Sequence, residues 1–215
     1  MSDVFREVDE DVRQEQLLGL WRKYGIYLVA AAVAVAIGVG GGAAWKEYRL
    51  NQRLADGASF AAALELLETG QPGLAAERFA GLADDAGDGY AILARLREAE
   101  ALAAAGDPDG AIAALDRLAA DDGVDRAFRD LASLLAAFHL VDGASPDELW
   151  QRLEPLMQGD SPWGASAREL GGLAALRAGD NNRAREIFSG LTADASAPPA
   201  IRDRAAELLA LLGGG

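Results

Sequence analysis

An uncharged run of 21 residues, Gly25 to Trp45, constrains the fold of this chain more than any other feature. One quarter of all residues are charged (25%), so 21 consecutive residues without a charge indicate a segment whose environment differs from that of the rest of the chain. As an α-helix the run would be about 31 Å long, close to the thickness of a bilayer hydrocarbon core, about 30 Å. Basic and aromatic residues flank it, as at membrane–water interfaces; they are Arg22, Lys23, Tyr24, Tyr27, Lys46, Tyr48 and Arg49. The run predicts a single membrane-spanning helix.

Two other interpretations of this run stay open. A cleaved signal peptide normally has a short basic segment before its apolar core, whereas residues 1–24 hold six acidic and four basic residues. A buried helix of a soluble domain is the second, because alanines and glycines make the run only moderately hydrophobic. Ala34, Gly38 and Gly42 stand four residues apart, the spacing of small residues that lets membrane helices pack closely. We predict that these three contact another helix; ordinary small residues in a weak span are the alternative.

The residues before the run have the pattern of an amphipathic helix. Val4, Val8 and Val12 are spaced four apart and would form one apolar stripe, with acidic residues on the opposite face. This stripe predicts a helix that lies along a partner or the membrane surface; a lone, partly ordered helix is the alternative. Lys and Arg are nearly balanced on the two sides of the run, so the positive-inside rule does not orient it.

Composition excludes several classes of function. The net charge is −14, and residues 46–215 contribute −12 of it, since 28 Asp and Glu stand against 16 Lys and Arg. Such a surface repels phosphate backbones, which excludes nucleic acid as the expected partner. The chain has no cysteine and a single histidine, His139, within an apolar helical segment where it is predicted to pack. We predict no catalytic residue, no metal site and no cofactor, and therefore a protein that is not an enzyme.

A repeat becomes visible after the run. Helical segments end at Gly70, Gly106, Gly143 and Gly179, at intervals of 36, 37 and 36 residues. A fixed period in this range is typical of stacked helical repeats. Each unit is predicted to be a helix A, a tight turn with glycine as the C-cap, and a helix B.

Residues at fixed distances from these glycines predict the core of each hairpin. A small residue lies seven positions before each glycine, where two helices would pack closely: Ala63, Ala99, Ala136 and Gly172. An apolar stripe follows at the fifth, ninth and twelfth positions, shifted by one in the third unit: Ala75, Phe79, Leu82, Ala111, Leu115, Leu118, Leu149, Leu153, Leu156, Ala184, Phe188 and Leu191. A last helix, Ile201 to Leu212, is predicted to cap the stack.

The predicted fold is therefore all-α. One N-terminal transmembrane helix precedes an α-solenoid of about four degenerate hairpins and a capping helix. The predicted domain limits are 1–24 for an amphipathic tail, 25–45 for the transmembrane helix and 46–215 for the repeat domain.

The small residue, the glycine and acid at the turn, and the alanine and aromatic of helix B resemble the tetratricopeptide repeat. Together with the tail MSDVFREVDEDVRQEQLLGLWRKYG and one predicted span, the whole chain resembles the YfgM-like family of ancillary subunits of the bacterial SecYEG translocon. The resemblance implies an inner-membrane protein with a cytoplasmic N-terminus and a periplasmic repeat domain. It also implies association with SecYEG and periplasmic folding factors or chaperones, and no catalysis. An envelope scaffold for cell division or outer-membrane assembly is the alternative.

Stacked helical hairpins form a concave surface lined by their A helices, and such surfaces bind proteins. In the register that the resemblance implies, the residues on this surface are Leu96, Glu100, Ser133, Ala137 and Leu140. We predict that they contact a protein partner. Ordinary packing between repeats is the alternative for the same residues.

Overall fold

A computed structural model describes residues 3–141 and 143–213, and every regular element in these ranges is an α-helix. The all-α prediction is confirmed there. The helices are α1 (Asp3–Glu68), α2 (Pro72–Asp85), α3 (Asp88–Ala104), α4 (Pro108–Ala119), α5 (Arg126–Leu140), α6 (Pro146–Gln158), α7 (Gly164–Arg177), α8 (Asn181–Ala193) and α9 (Pro199–Gly213). The chain divides into two compact units, Met1–Leu54 and Ala55–Gly215.

The first unit consists of the N-terminal part of α1. Ile26, Tyr27 and Val35 are examples of large apolar side chains that are more than half exposed here. The predicted membrane span, residues 25–45, lies within this part of α1. In the part of the chain that the structure describes, no helix has the length and apolar character needed to cross a membrane.

An aromatic cluster with one cation lies at the C-terminal end of the uncharged run. The rings of Trp45 and Tyr48 are stacked with their centroids 6.0 Å apart. The guanidinium of Arg49 lies 5.6 Å from the centroid of the Trp45 ring, within the range of a cation–π interaction. The cluster therefore places large rings and a positive charge together at the C-terminal end of the run.

The second unit is a stack of helical hairpins. The C-terminal part of α1, from Ala55, pairs with α2, and the later hairpins are α3 with α4, α5 with α6, and α7 with α8. The capping helix is α9, which buries Ile201 and Ala205 against α8. The four predicted hairpins and the predicted cap are thus present.

The buried residues follow the predicted repeat. All four small residues of the A helices are buried, and so is every position of the apolar stripe on the B helices. They form consecutive hydrophobic clusters along the stack, because each hairpin contributes one stripe to the core that it shares with its neighbours. The repeat spacing in the sequence therefore identified the core correctly.

Three of the predicted glycine turns have one geometry. Gly70, Gly106 and Gly179 have φ angles of 76°, 85° and 77°, in the left-handed region. At the second turn the Gly106 amide donates to the carbonyl of Ala103 (3.0 Å) and the Asp107 amide to that of Leu102 (2.9 Å). This pattern is the Schellman motif, which satisfies the last carbonyls of a helix. The third hairpin differs from the prediction, because α5 ends at Leu140 with Val141 as its C-cap, so Gly143 does not directly follow the cap as Gly106 and Gly179 do. Asp142, between Val141 and Gly143, is outside the described residues.

Replacing Gly106 by alanine is expected to destabilise the fold by about 1–2 kcal/mol, because a Cβ atom is strained at this φ angle. The matched control is Gly81→Ala on α2, an exposed helical glycine with open space around the position of a Cβ. That change is expected to stabilise by about 0.5–1 kcal/mol, since alanine restricts the unfolded chain. Urea unfolding measures both. If Gly81→Ala lost as much stability as Gly106→Ala, the left-handed φ angle of Gly106 would not be the cause of the loss.

Candidate functional site

An apolar groove crosses α3, α5 and α7, the A helices of the second, third and fourth hairpins. We call it the A-helix groove. It contains two cavities that adjoin at Leu135 and Phe138 of α5. The α3–α5 cavity, of about 450 Å³, is lined by Leu93, Leu96, Arg97, Ala99, Glu100, Ala103, Leu115, Leu135, Phe138 and His139. The α5–α7 cavity, of about 320 Å³, is lined by Leu134, Leu135, Phe138, Ser166, Glu169, Leu170, Leu173 and Arg204.

Phe138 stands at the centre of the groove and is 63% exposed. Its only described ring contact is with His139, edge to face at a centroid distance of 6.3 Å. Leu93 and Leu173, on the helices to either side, are also exposed. Aromatic anchors at the centre of an apolar surface carry much of the binding energy in protein interfaces. The groove therefore has the composition of a surface that another molecule covers.

The packing of α5 explains why Phe138 faces the groove. Ala132 and Ala136 pack into the core shared with the second hairpin, while Leu134 and Ala137 pack into the core shared with the fourth. With two faces of the helix buried in this way, Phe138 is left on the side of the A helices. The exposure is thus set by the packing of two neighbouring hairpins.

The charged residues of the groove neutralise one another. Arg97 and Glu100 form an ion pair on α3. At the other end the guanidinium of Arg204 donates two hydrogen bonds to the carboxylate of Glu169, at 2.6 and 2.8 Å. These bonds also raise the pKa of Arg204. Because the charges are paired at both ends, the floor between them is apolar and without net charge.

The sequence-predicted contact residues fall in different places. Leu96 and Glu100 line the α3–α5 cavity. Ser133 is half-buried and lines neither cavity, and Leu140 packs against the core between the third and fourth hairpins. Ala137 is 0% exposed in that same core, so its methyl group packs inside the domain.

Sequence reasoning missed most of the groove, including its apolar residues Leu93, Leu135, Phe138 and Leu173. In the segment FRDLASLLAAFHLV, α5 carries more apolar residues than one buried stripe requires. That excess is the signal in the sequence. It does not reveal which of the apolar residues stays exposed, because the packing of both neighbours decides this.

All three residues predicted to pack the membrane helix lie in α1, and Gly42 is the one whose surroundings are described. Gly42 is exposed, and apart from the nearby backbone of α1 itself, no described atom lies within 4 Å of the position that a Cβ would take. The side-chain surroundings of Ala34 and Gly38 lie outside the described residues. Their predicted helix contact stays a prediction.

A third cavity, which is polar and of about 470 Å³, lies among α2, α3 and α4. Its charged residues are Asp84, Arg95, Glu98, Arg117 and Asp121. Glu98 is only 8% exposed and accepts a hydrogen bond from Arg117 at 3.0 Å. Burial raises the pKa of Glu98, and this effect outweighs the opposing influence of Arg117. The ionised form of Glu98 is therefore less favourable in the folded protein than in the unfolded chain.

A raised pKa makes the effect of Glu98 on stability depend on pH. Above about pH 4 the unfolded chain loses this proton first, so the group's contribution to stability falls as pH rises toward the folded pKa. Glu98→Gln should therefore gain stability relative to wild type between about pH 4 and pH 7. Urea unfolding at a series of pH values measures the difference.

Asp194→Asn is the control with the opposite sign. Hydrogen bonds from Ser196 and Arg168 lower the pKa of Asp194, so its contribution is present above about pH 4 and is lost on acidification. The loss of stability of Asp194→Asn relative to wild type should therefore become smaller as pH falls. Stability differences that change with pH in the same direction for the two variants would contradict one of the two assignments.

A family model described as tetratricopeptide repeat-like domain matches residues 19–201. No curated protein and no solved structure is significantly similar to the chain. The match extends over all four hairpins and into α9. Repeat domains of this kind are typically protein-interaction modules rather than enzymes. Because the match covers most of the length of this chain, the chain belongs to the tetratricopeptide repeat-like domain family.

Proposed function

We propose that this protein is a membrane-anchored, non-enzymatic interaction subunit of the bacterial inner membrane, ancillary to the Sec translocon and to periplasmic chaperones. Its N-terminus is cytoplasmic and its repeat domain periplasmic. The observation that carries the proposal is the A-helix groove with the exposed Phe138 at its centre. The link to SecYEG rests on the resemblance of the whole chain to the YfgM-like family.

The groove supports an interaction role for a physical reason. Burying apolar surface contributes about 25 cal/mol per Å². A partner that covers the exposed side chains of Phe138, Leu93 and Leu173 would therefore gain binding free energy. Arg97 is paired with Glu100, and Arg204 is paired with Glu169, so a partner does not need to bury an unpaired charge from these side chains. A protein segment can therefore bind there with little electrostatic cost.

The anchor is supported by the uncharged run from Gly25 to Trp45 and by the apolar side chains exposed along it. The rings of Trp45 and Tyr48 and the guanidinium of Arg49 have the chemistry of the membrane–water interface. Inserting this run in a bilayer would remove its apolar side chains from water.

Co-purification tests the proposed partner. The tagged full-length chain is extracted from membranes in mild detergent after crosslinking, and we expect the SecYEG channel among the recovered proteins. Recovery of division or outer-membrane assembly machinery in its place would contradict the proposal and support the envelope scaffold. Gly38→Leu with Gly42→Leu should weaken channel recovery while the chain stays in the membrane fraction, since bulky side chains prevent close helix approach. Unchanged recovery would leave the run with the role of a tether.

The absence of native cysteine permits a direct test of orientation. Ser2→Cys and Ser189→Cys are made separately in the full-length chain; Ser189 is exposed on α8. In intact cells with a permeabilised outer membrane, an impermeant maleimide should label the Ser189→Cys protein and leave the Ser2→Cys protein unlabelled. Lysis should make both reactive. The reverse pattern before lysis would contradict a periplasmic repeat domain.

A further inference from the structure

Residues 45–54 of α1 form a basic segment in a chain whose net charge is strongly negative. Lys46, Arg49 and Arg53 stand against one acidic residue, Glu47, so the segment has a net charge of +2, whereas the whole chain has −14. The segment belongs to the first compact unit, and every one of its residues is exposed. We call Lys46, Arg49 and Arg53 the basic stripe.

Helical geometry places the three cations of the basic stripe on one side of α1. They follow one another at spacings of three and four residues, and residues so spaced are neighbours on a helix, with Cβ atoms about 5–6 Å apart. At about 100° per residue, their directions fall within a sector of about 60°. The direction of Glu47 differs from each of them by about 100° or more. The stripe is therefore a one-sided patch of positive charge.

No described carboxylate pairs with the basic stripe. Among residues 3–141 and 143–213, no Asp or Glu oxygen lies within 4.0 Å of a nitrogen of Lys46, Arg49 or Arg53. Like charges four residues apart on a helix repel each other, as Arg49 and Arg53 do here. An anion bound between the cations would remove this repulsion and accept charge-assisted hydrogen bonds.

The position of the stripe along α1 indicates the kind of anion. The predicted span ends at Trp45, and the helix continues through the whole stripe. At about 1.5 Å per residue, Lys46 and Arg49 lie about 2 and 6 Å beyond Trp45 along the helix axis. The headgroup region on each side of a bilayer is about 5–8 Å thick, so both cations would lie at the level of the lipid phosphates. Arg53 lies about 12 Å beyond Trp45, and its long, flexible stem can reach back to that level.

The rings beside the stripe favour the same level. Trp45 and Tyr48 are stacked, and such amphipathic rings concentrate at membrane–water interfaces. The guanidinium of Arg49 lies 5.6 Å from the centroid of the Trp45 ring. This cation–π contact holds one cation of the stripe next to a ring that marks the interface.

We propose that the basic stripe binds the phosphate group of an anionic phospholipid, such as phosphatidylglycerol, in the membrane leaflet next to Trp45. Nitrogen atoms of Lys46, Arg49 and Arg53 surround the phosphate, and the Trp45 ring contacts the glycerol region of the same lipid. A zwitterionic lipid is a poorer ligand, because its own ammonium group balances its phosphate. This inference deepens the proposed function, on which it rests for the membrane anchor, because it names the lipid that the anchor selects.

Native mass spectrometry of the full-length chain in a non-ionic detergent tests the selection. Phosphatidylglycerol and phosphatidylcholine with the same acyl chains are titrated separately, and the fraction of protein with one bound lipid gives each dissociation constant. We expect phosphatidylglycerol to bind at least about tenfold more tightly, since each basic residue adds to the attraction of anionic lipid. Equal affinity for the two lipids would overturn the proposal. Complete displacement of phosphatidylglycerol by inorganic phosphate would identify free phosphate as the ligand and overturn the lipid assignment.

Lys46→Gln, Arg49→Gln and Arg53→Gln, combined in one variant, remove the stripe. The preference for phosphatidylglycerol should then fall to about twofold or less, because the remaining contacts do not distinguish the two headgroups. Circular dichroism confirms that the repeat domain is folded. An unchanged preference would show that the anionic lipid binds elsewhere.

A rearranged variant is the matched control, because it keeps the composition and net charge of the segment. It combines Arg49→Gln with Gln52→Arg, and Arg53→Asn with Asn51→Arg. Its three cations then point in directions about 100° or more apart, so they cannot surround one phosphate. We expect this variant to bind phosphatidylglycerol at least about threefold more weakly than wild type. Affinity equal to that of wild type would show that only net charge matters and would overturn the one-sided site.

An acidic protein surface is the alternative occupant of the stripe. If the variant without the stripe lost SecYEG recovery while the wild-type chain showed no preference between the lipids, the stripe would bind a protein and the proposal would be wrong.

Lipid selection and channel recovery fail separately. If SecYEG is recovered but phosphatidylglycerol is not preferred, the inference is wrong and the proposed function stands. If the stripe selects phosphatidylglycerol but the channel is not recovered, the proposed partner is wrong and the lipid site stands.

Discussion

Truncating Phe188 to alanine is expected to destabilise the repeat domain by about 3–5 kcal/mol. Phe188 is 0% exposed and belongs to the last core cluster, with Ala184, Leu191, Ile201 and Ala205 around it. The cost combines the lost transfer free energy of the ring with the cavity that remains between α8 and its neighbours. Since domains are typically stable by about 5–15 kcal/mol, this loss is a large fraction of the total.

Phe138→Ala is the matched control for Phe188→Ala. It removes the same ring from a position that is mostly exposed in the groove, so the expected cost is about 0.5 kcal/mol or less. Urea unfolding followed by far-ultraviolet circular dichroism measures the free energy of unfolding, and amide hydrogen exchange identifies the helices that open. Similar losses for the two variants would contradict the placement of Phe188 in the core.

Replacing Gly172 by alanine is expected to cost about 1–3 kcal/mol by overpacking. A Cβ at this position of α7 would lie 2.5 Å from Cε1 and 2.6 Å from Cζ of Phe188. The ring is enclosed on its other sides, so either its position or the spacing of α7 and α8 must change. Gly190→Ala on α8 is the control, because a Cβ there meets nothing within 4 Å and should stabilise by about 0.5–1 kcal/mol.

A double-mutant cycle separates this clash from a general loss of helix packing. The second hairpin holds Ala99 and Leu115 at the positions of Gly172 and Phe188, so Gly172→Ala with Phe188→Leu copies a pair that the chain already uses. We expect the double variant to be more stable than the sum of the single changes indicates, by about 0.5–3 kcal/mol. Additive losses would show that the two residues do not interact.

The repeat was predictable from sequence because its marker residues are required by the local geometry of the turns and helices. A residue with a positive φ angle favours glycine, so Gly70, Gly106 and Gly179 mark the turns without knowledge of the tertiary structure. Apolar residues at helical spacing after each turn then identify the buried face of the B helices. Even the need for a small residue at Gly172 followed from the close approach of two helices.

The groove was predictable only in part. Leu96 and Glu100 were placed on it by the register of the repeat, whereas Ala137 and Leu140 were placed on the same surface and pack into the core. A helix in the middle of a solenoid contacts neighbours on both sides, so its buried sector is wider than one stripe. The sequence does not state how wide this sector is.

The sequence by itself determined the all-α class, the four hairpins, three of their turns and their cores, because glycine geometry and helical periodicity act within one hairpin. Only the tertiary structure decided which face of α5 stays uncovered. That outcome depends on the packing of Ala132 and Ala136 into one core cluster and of Leu134 and Ala137 into the next. The second and fourth hairpins cover two sides of α5. Phe138 lies on the remaining side, which neither hairpin covers, and is therefore exposed.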